Sequence, residues 1–188
     1  MRIILASESP FRRRALDLLG LPCETFPAAI DEKAVRHDDP AALTRILAEA
    51  KARKVAGQCR DAIIIAGDAV AALRGKIYEK PQTLAEAAEF LRELSGNEIQ
   101  FVTSLAVLNS VTNKMLSVVE ALNIKFRPLI EPEIQSYIER YPVLNFAGAF
   151  EDDAVHMFAE HISGSYNIGT ALPVRRLILF WREQGVNI

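Results

Sequence analysis

The stretch IILASESPFRRRALDLLG, residues 3–20, changes period in the middle. Ile3, Ile4, Leu5 and Ala6 form a short apolar run, ended by the turn residues Ser7-Glu8-Ser9-Pro10. That pattern predicts a buried strand over residues 2–6. Ser9 before Pro10 is a helix start. The serine can cap, and proline at the first helical position gives up only an N–H that would be orphaned anyway. The helix is expected to run to Leu19, with Ala15, Leu18 and Leu19 on one face and Gly20 as its stop. A strand turning directly into a helix is a building unit of α/β sheets.

The same stretch raises a question of charge, because Arg12, Arg13 and Arg14 crowd the first turn of that helix. A helix N-terminus offers unpaired N–H groups and a partial positive charge, a ready anion site. Ser7 and Ser9 add hydroxyls, and Arg12 and Arg13 add forked donors suited to phosphate oxygens. Successive helix positions lie about 100° apart, so three arginines cannot all face one ligand. The residues read equally as a solvated basic face with Arg13 paired to Asp17.

Outward from this unit, Asp39-Pro40 opens a second helix with Leu43, Ile46, Leu47 and Ala50 at helical spacing. AIIIAG, residues 62–67, is apolar throughout, as expected of a strand buried on both faces, with Asp68 at its end. VAALRGKIY predicts a hairpin turning at Arg74-Gly75. Thr83 caps a helix bearing Leu84, Ala87, Ala88, Leu91 and Leu94 on one side, stopped by Ser95-Gly96. Two long strands follow, residues 98–109 and 115–127, joined around Thr112-Asn113. A helix over EPEIQSYIERY, a strand over VHMFAEHI and a last helix from Pro173 complete the chain. The fold class expected is α/β, with a mixed central sheet flanked by helices. The 188 residues suit a single domain, 1–188, with room for two lobes around a cleft.

Composition narrows the partners. Half of the residues are hydrophobic and 24% are charged, enough for a sizeable core, and the net charge of −2 argues against a nucleic-acid-coating surface. No apolar run approaches a membrane span, and the apolar N-terminal segment is too short for a signal peptide. Cys23 and Cys59 form no C-x-x-C, so a reducing, cytoplasmic setting is expected. A homodimer is the usual expectation for a small cytosolic protein.

Among groups that could do chemistry, Asp68 follows a buried strand, where α/β sheets place ligand groups. It could act as a base or bind a metal, and it also reads as a turn-forming aspartate. Asp31-Glu32, Lys51 and Lys80-Pro81 each read as surface charge when taken alone. Together they offer carboxylates for a divalent ion and cations for a polyphosphate. His37, His156 and His161 lack zinc spacing, and no P-loop, G-x-G-x-x-G or G-x-S-x-G is present.

The segments LASESPFRRRALDLLGL, IDE, EAKA, IIIAGDAV, EKPQT, LRELSG and FAGAF, in that order, resemble the Maf family. The likeness runs from residue 3 to about residue 181. It implies a nucleoside triphosphate pyrophosphatase with a fold similar to inosine triphosphatases, cutting between the α and β phosphates with a divalent metal, magnesium or manganese. It implies Asp68 as proton acceptor, with Glu32 and Asp68 near the metal, and Ser7, Ser9, Arg12, Arg13, Lys51 and Lys80 on the phosphates. Two branches of the family differ in base. One takes dTTP and UTP and has an arginine at the position of Phe11. The other takes 7-methyl-GTP and has an aromatic residue there. Phe11 therefore resembles the second branch, as does Asp153, an acid where that branch carries Glu. A cationic purine suits an aromatic face and a carboxylate. Phe11, Ala69 and Asp153 are the expected specificity positions, and Ala69 stands where the branches carry Gln or Thr. The implied role is clearing a modified nucleotide from the pool. The alternatives are dTTP/UTP hydrolysis and a catalytically weak, nucleotide-binding regulator of cell division.

Overall fold

In the computed structural model, which describes residues 1–151, 154–165 and 171–183, the opening stretch is a strand, a turn and a helix. β1 spans Arg2–Leu5 and α1 spans Pro10–Leu18. The Ser9 hydroxyl accepts the Arg12 N–H as an N-cap, and Gly20 leaves the helix at φ 65°. The buried face of α1 is Ala15 and Leu16, while Leu18 is 72% exposed. The expected face with Leu18 is thus corrected. Residues 15, 16 and 19 also fall within about 100° of one another, so the period fits either stripe. The facing core selects this one.

The strand after α1 is β2 (Glu24–Thr25), followed by a 3₁₀ turn over Glu32–Ala34 and then α2 (Pro40–Ala56). The Asp39 carboxylate caps α2, accepting the N–H groups of Ala41 and Ala42. The buried side of α2 includes Leu43, Leu47, Ala48, Lys51 and Val55, so a lysine lies within the apolar stripe. Ile46 is on the exposed side.

β3 spans Ala62–Leu73, which corrects the position expected for Asp68. The aspartate is not at the strand's end but within it, and the strand continues through Ala69 to the hairpin with β4 (Lys76–Tyr78). Arg74 and Gly75 make that turn at φ 50° and 85°. Next come α3 (Leu84–Leu94), β5 (Glu98–Asn109), β6 (Met115–Phe126) and α4 (Glu131–Arg140). The strand expected over 155–162 forms only from Ala159, as β7 (Ala159–Gly164). Before it, Ala154–Met157 is a 3₁₀ turn, where Val155 and Phe158 are both buried at a spacing of three and the Phe158 N–H donates to the Val155 carbonyl. α5 is Val174–Glu183.

The strands follow the order β2-β1-β3-β5-β6-β7, with β4 paired to β3. β1 is parallel to β2 and β3, whereas the β3/β4 and β6/β7 pairs are antiparallel, so the sheet is mixed as expected. The chain divides into two compact units. The first holds residues 1–68, 103–120 and 170–188, and the second holds 69–102 and 121–169.

In the first unit, side chains of β1 and β3 alternate between two cores. Ile4 and Ile64 pack with Ala48, Ala52 and Val55 of α2. Leu5, Ile63 and Ile65 pack with Leu16 of α1 and with Leu177 and Trp181 of α5. That two-sided burial is why AIIIAG is apolar without alternation. Among the described residues, the second unit packs around a core where Leu91, Phe101, Ile124, Phe126, Tyr137 and Phe150 meet. Phe126 and Phe150 meet there edge to face at 5.6 Å. No helix among the described residues is long and apolar enough to cross a membrane.

Candidate active site

The two most deeply placed charges of the first unit are paired. Lys51 Nζ lies 2.7 Å from Asp68 Oδ1, and each residue is only 6% exposed. The same ammonium lies 3.1 Å from Glu32 Oε1, whose side chain stays mostly in solvent. Lys51 arrives from the buried side of α2, Asp68 from the middle of β3, and Glu32 from the 3₁₀ turn that Asp31 caps. Burial pushes the Asp68 carboxyl above its ordinary value. The charges of Lys51 and then Arg12 pull it back, and Glu32 adds to the rise, leaving a net upward shift. A carboxyl raised by burial and held by cations has the environment of a general base.

The backbone at Asp68 is held as firmly as its side chain. A Cβ at Gly67 would stand 2.7 Å from both the Ser104 carbonyl oxygen and Leu172 Cδ1, so only glycine lets the chain pass there. The Asp68 N–H donates to Ser104 Oγ at 3.1 Å, and that hydroxyl donates to the Thr44 carbonyl at 2.8 Å. Ser104 is wholly buried in β5. Its only signal in the sequence is that Thr103-Ser104 interrupts an apolar strand, which does not by itself name a partner.

The opening motif faces the same cluster. Ser7 Oγ accepts the Ser9 N–H at 3.1 Å and an Arg12 Nη1 hydrogen at 3.2 Å, and Arg12 Nε donates to the Ala171 carbonyl. Arg12 thus sits at the α1 N-terminus with its charge felt at Asp68. Arg13 is turned elsewhere. Its guanidinium donates to Asp17 Oδ1 at 2.9 Å and to the Cys23 carbonyl at 2.8 Å. Arg14 is exposed and Phe11 is half-buried.

Other sequence candidates lie in the second unit. Lys80 and Glu79 are exposed, and Ala69 packs half-buried against that unit's core. The Glu79 carbonyl accepts the Gly148 N–H at 3.1 Å, which joins EKPQT to FAGAF. Gly148 has φ 70°, and a Cβ there would meet Phe150 and Ala71 at under 3 Å. Asp153 lies outside the described residues.

Among the described residues, no three His, Cys, Asp or Glu side chains converge as a metal cluster. Two carboxylates, Asp68 and Glu32, do converge on one ammonium. Two hard oxygen donors fit magnesium or manganese, which complete their shell with water and phosphate oxygens.

Comparison with known proteins adds the following. The family model described as "Maf-like protein" matches residues 2–183. A 7-methyl-GTP pyrophosphatase of Nitrosococcus oceani is 35% identical, with 97% of this chain and 93% of that protein aligned. A dTTP/UTP pyrophosphatase of Pelotomaculum thermopropionicum is 34% identical, with 99% and 98% aligned. A 7-methyl-GTP pyrophosphatase of Pseudomonas aeruginosa is 35% identical, with 99% and 98% aligned. Overall identity therefore does not separate the two base preferences. A HAM1 protein from Coxiella burnetii shares the fold, with a TM-score of 0.53, 15% identity, and 97% and 99% of the two chains covered.

Proposed function

The chain belongs to the Maf family, and on that premise we propose that it hydrolyses a nucleoside triphosphate between the α and β phosphates, with 7-methyl-GTP as substrate. The observation that carries the reaction class is Asp68, buried, raised, and held by Lys51 at 2.7 Å. Ionised, it accepts the proton of the attacking water, and its fixed backbone aims it. Arg12, the Ser7 and Ser9 hydroxyls and the α1 N–H groups hold phosphate oxygens. Lys80 serves as a further phosphate cation. Arg12 bears on Asp68, whereas Arg13 turns to Asp17 and the Cys23 carbonyl, so Arg12 is taken as the principal forked donor of the motif.

Asp68 and Glu32 are the residues that would hold a divalent ion, and such an ion, when bound, supplies positive charge for the phosphates. Lys51 then has two tasks. It keeps two carboxylates together before substrate arrives, and its ammonium is given to a phosphate afterwards.

The preference for 7-methyl-GTP rests on the aromatic Phe11 and the acidic Asp153, which suit a cationic purine. Two of the relatives named above are 7-methyl-GTP pyrophosphatases. The similar dTTP/UTP pyrophosphatase supports the second reading, hydrolysis of those pyrimidine nucleotides. The test is pyrophosphate release from 7-methyl-GTP, GTP, dTTP and UTP with magnesium or manganese. Highest kcat/KM on 7-methyl-GTP is expected. Equal or greater turnover of dTTP and UTP would replace the first reading by the second. Tight nucleotide binding without release would favour a regulator.

A further inference from the structure

We propose that Ser104 is a positioning residue for Asp68, fixing it through a hydroxyl that ties three elements together. The inference rests on the reading of Asp68 as proton acceptor. Ser104 comes from β5, accepts the Asp68 N–H of β3 at 3.1 Å and donates to the Thr44 carbonyl of α2 at 2.8 Å. A hydroxyl has one proton to give, and the shorter contact to Thr44 takes it in preference to the Asp68 carbonyl at 3.4 Å. Both polar contacts are wholly buried, where a lost partner is not replaced by water.

The consequence reaches the ion pair. Lys51 lies seven residues beyond Thr44, two turns along the same side of α2, and both are buried. Holding Thr44 and the Asp68 backbone on one oxygen therefore fixes helix and strand at the distance that sets Lys51 Nζ against Asp68 Oδ1. Gly67 permits this arrangement, since a Cβ there would strike the Ser104 carbonyl. Ser104 touches no reacting atom in this scheme and acts by where it puts Asp68.

The experiment compares Ser104→Ala, which removes the hydroxyl, with Ser104→Cys, which keeps similar size and a weak S–H donor. In Ala, kcat is expected to fall by about tenfold to a hundredfold, the scale of a small misplacement of a catalytic group. KM and nucleotide Kd should stay near wild type with one nucleotide bound per folded chain, which separates positioning from a loss of folded protein. Cys should fall between Ala and Ser in kcat. Wild-type kcat in folded Ala, or Cys no better than Ala, would overturn the proposal. If Ala does not fold, a kcat below wild type in folded Cys supports the proposal and a wild-type kcat in Cys overturns it. A second readout does not need turnover. The Asp68 amide should exchange hydrogen faster in the variant, relative to the Ile65 amide, by about tenfold. If the wild type releases no pyrophosphate, the activity reading fails. Exchange then decides Ser104 alone, and unchanged exchange overturns its role.

Discussion

Asp68 is an expensive residue to bury, and its neighbours show how it is kept. Desolvation raises its carboxyl, and Lys51 is the largest opposing influence, ahead of Arg12. Replacing Lys51 by Met removes the cation 2.7 Å away. The carboxyl must then move further up, because burial remains and its main counterweight is gone. The base works only when ionised, so the acidic limb of kcat/KM should shift to higher pH in Lys51→Met. A pH profile measured at fixed metal checks this. An unmoved limb would mean that Asp68 is not the group titrating. Gly67→Ala is a second residue-scale prediction. Its Cβ would press on the Ser104 backbone, which cannot swing away as a side-chain tip can. A loss of stability of about 1–3 kcal/mol is expected in urea unfolding, as for other overpacked sites, together with a fall in kcat.

At the scale of elements, capping and side-chain hydrogen bonds give separable effects. Asp39 caps α2 through two N–H groups, far along the helix from Lys51. Asp39→Ala should cost about 1 kcal/mol in urea unfolding, with kcat unchanged. Loss of activity without loss of stability would contradict the separation of cap from site. In the second unit, β4 and α3 are joined by Tyr78, whose buried hydroxyl donates to Glu93 Oε2 at 2.6 Å beside Lys76. Burial first, and then the Glu93 hydrogen bond, pushes the Tyr78 phenol well above its ordinary value. A group raised on folding gives stability that is complete below the unfolded value, about pH 10, and is lost as pH rises toward the folded one. Stability should therefore fall with pH above about 10, and Tyr78→Phe should flatten that fall. Chemical unfolding at several alkaline pH values checks it.

Across the whole molecule, what the sequence discloses depends on how local the cause is. Ser9, Pro10 and Gly20 act within a few residues, so the ends of α1 are legible from the chain alone. AIIIAG is legible as a doubly buried strand because both faces demand apolar side chains. Asp68 reads as a strand end because aspartate favours turns, yet tertiary packing carries β3 five residues further. Lys51 follows helical spacing in a segment where a solvated lysine is ordinary. Its burial depends on a partner 17 residues away. Ser104 depends on two partners, 36 and 60 residues distant, and no local pattern records either. Family likeness assigns roles to Asp68 and Lys51 through their motifs and assigns none to Ser104.

The most direct measurement is pyrophosphate release by the wild type and by Asp68→Asn, with nucleotide affinity measured on both. The wild type should release pyrophosphate from 7-methyl-GTP in the presence of a divalent ion. The variant should lose at least about a hundredfold in kcat, the scale of a removed general base, and still bind nucleotide. Full turnover in folded Asp68→Asn, or no pyrophosphate from the wild type with any nucleotide, would contradict a pyrophosphatase built around Asp68.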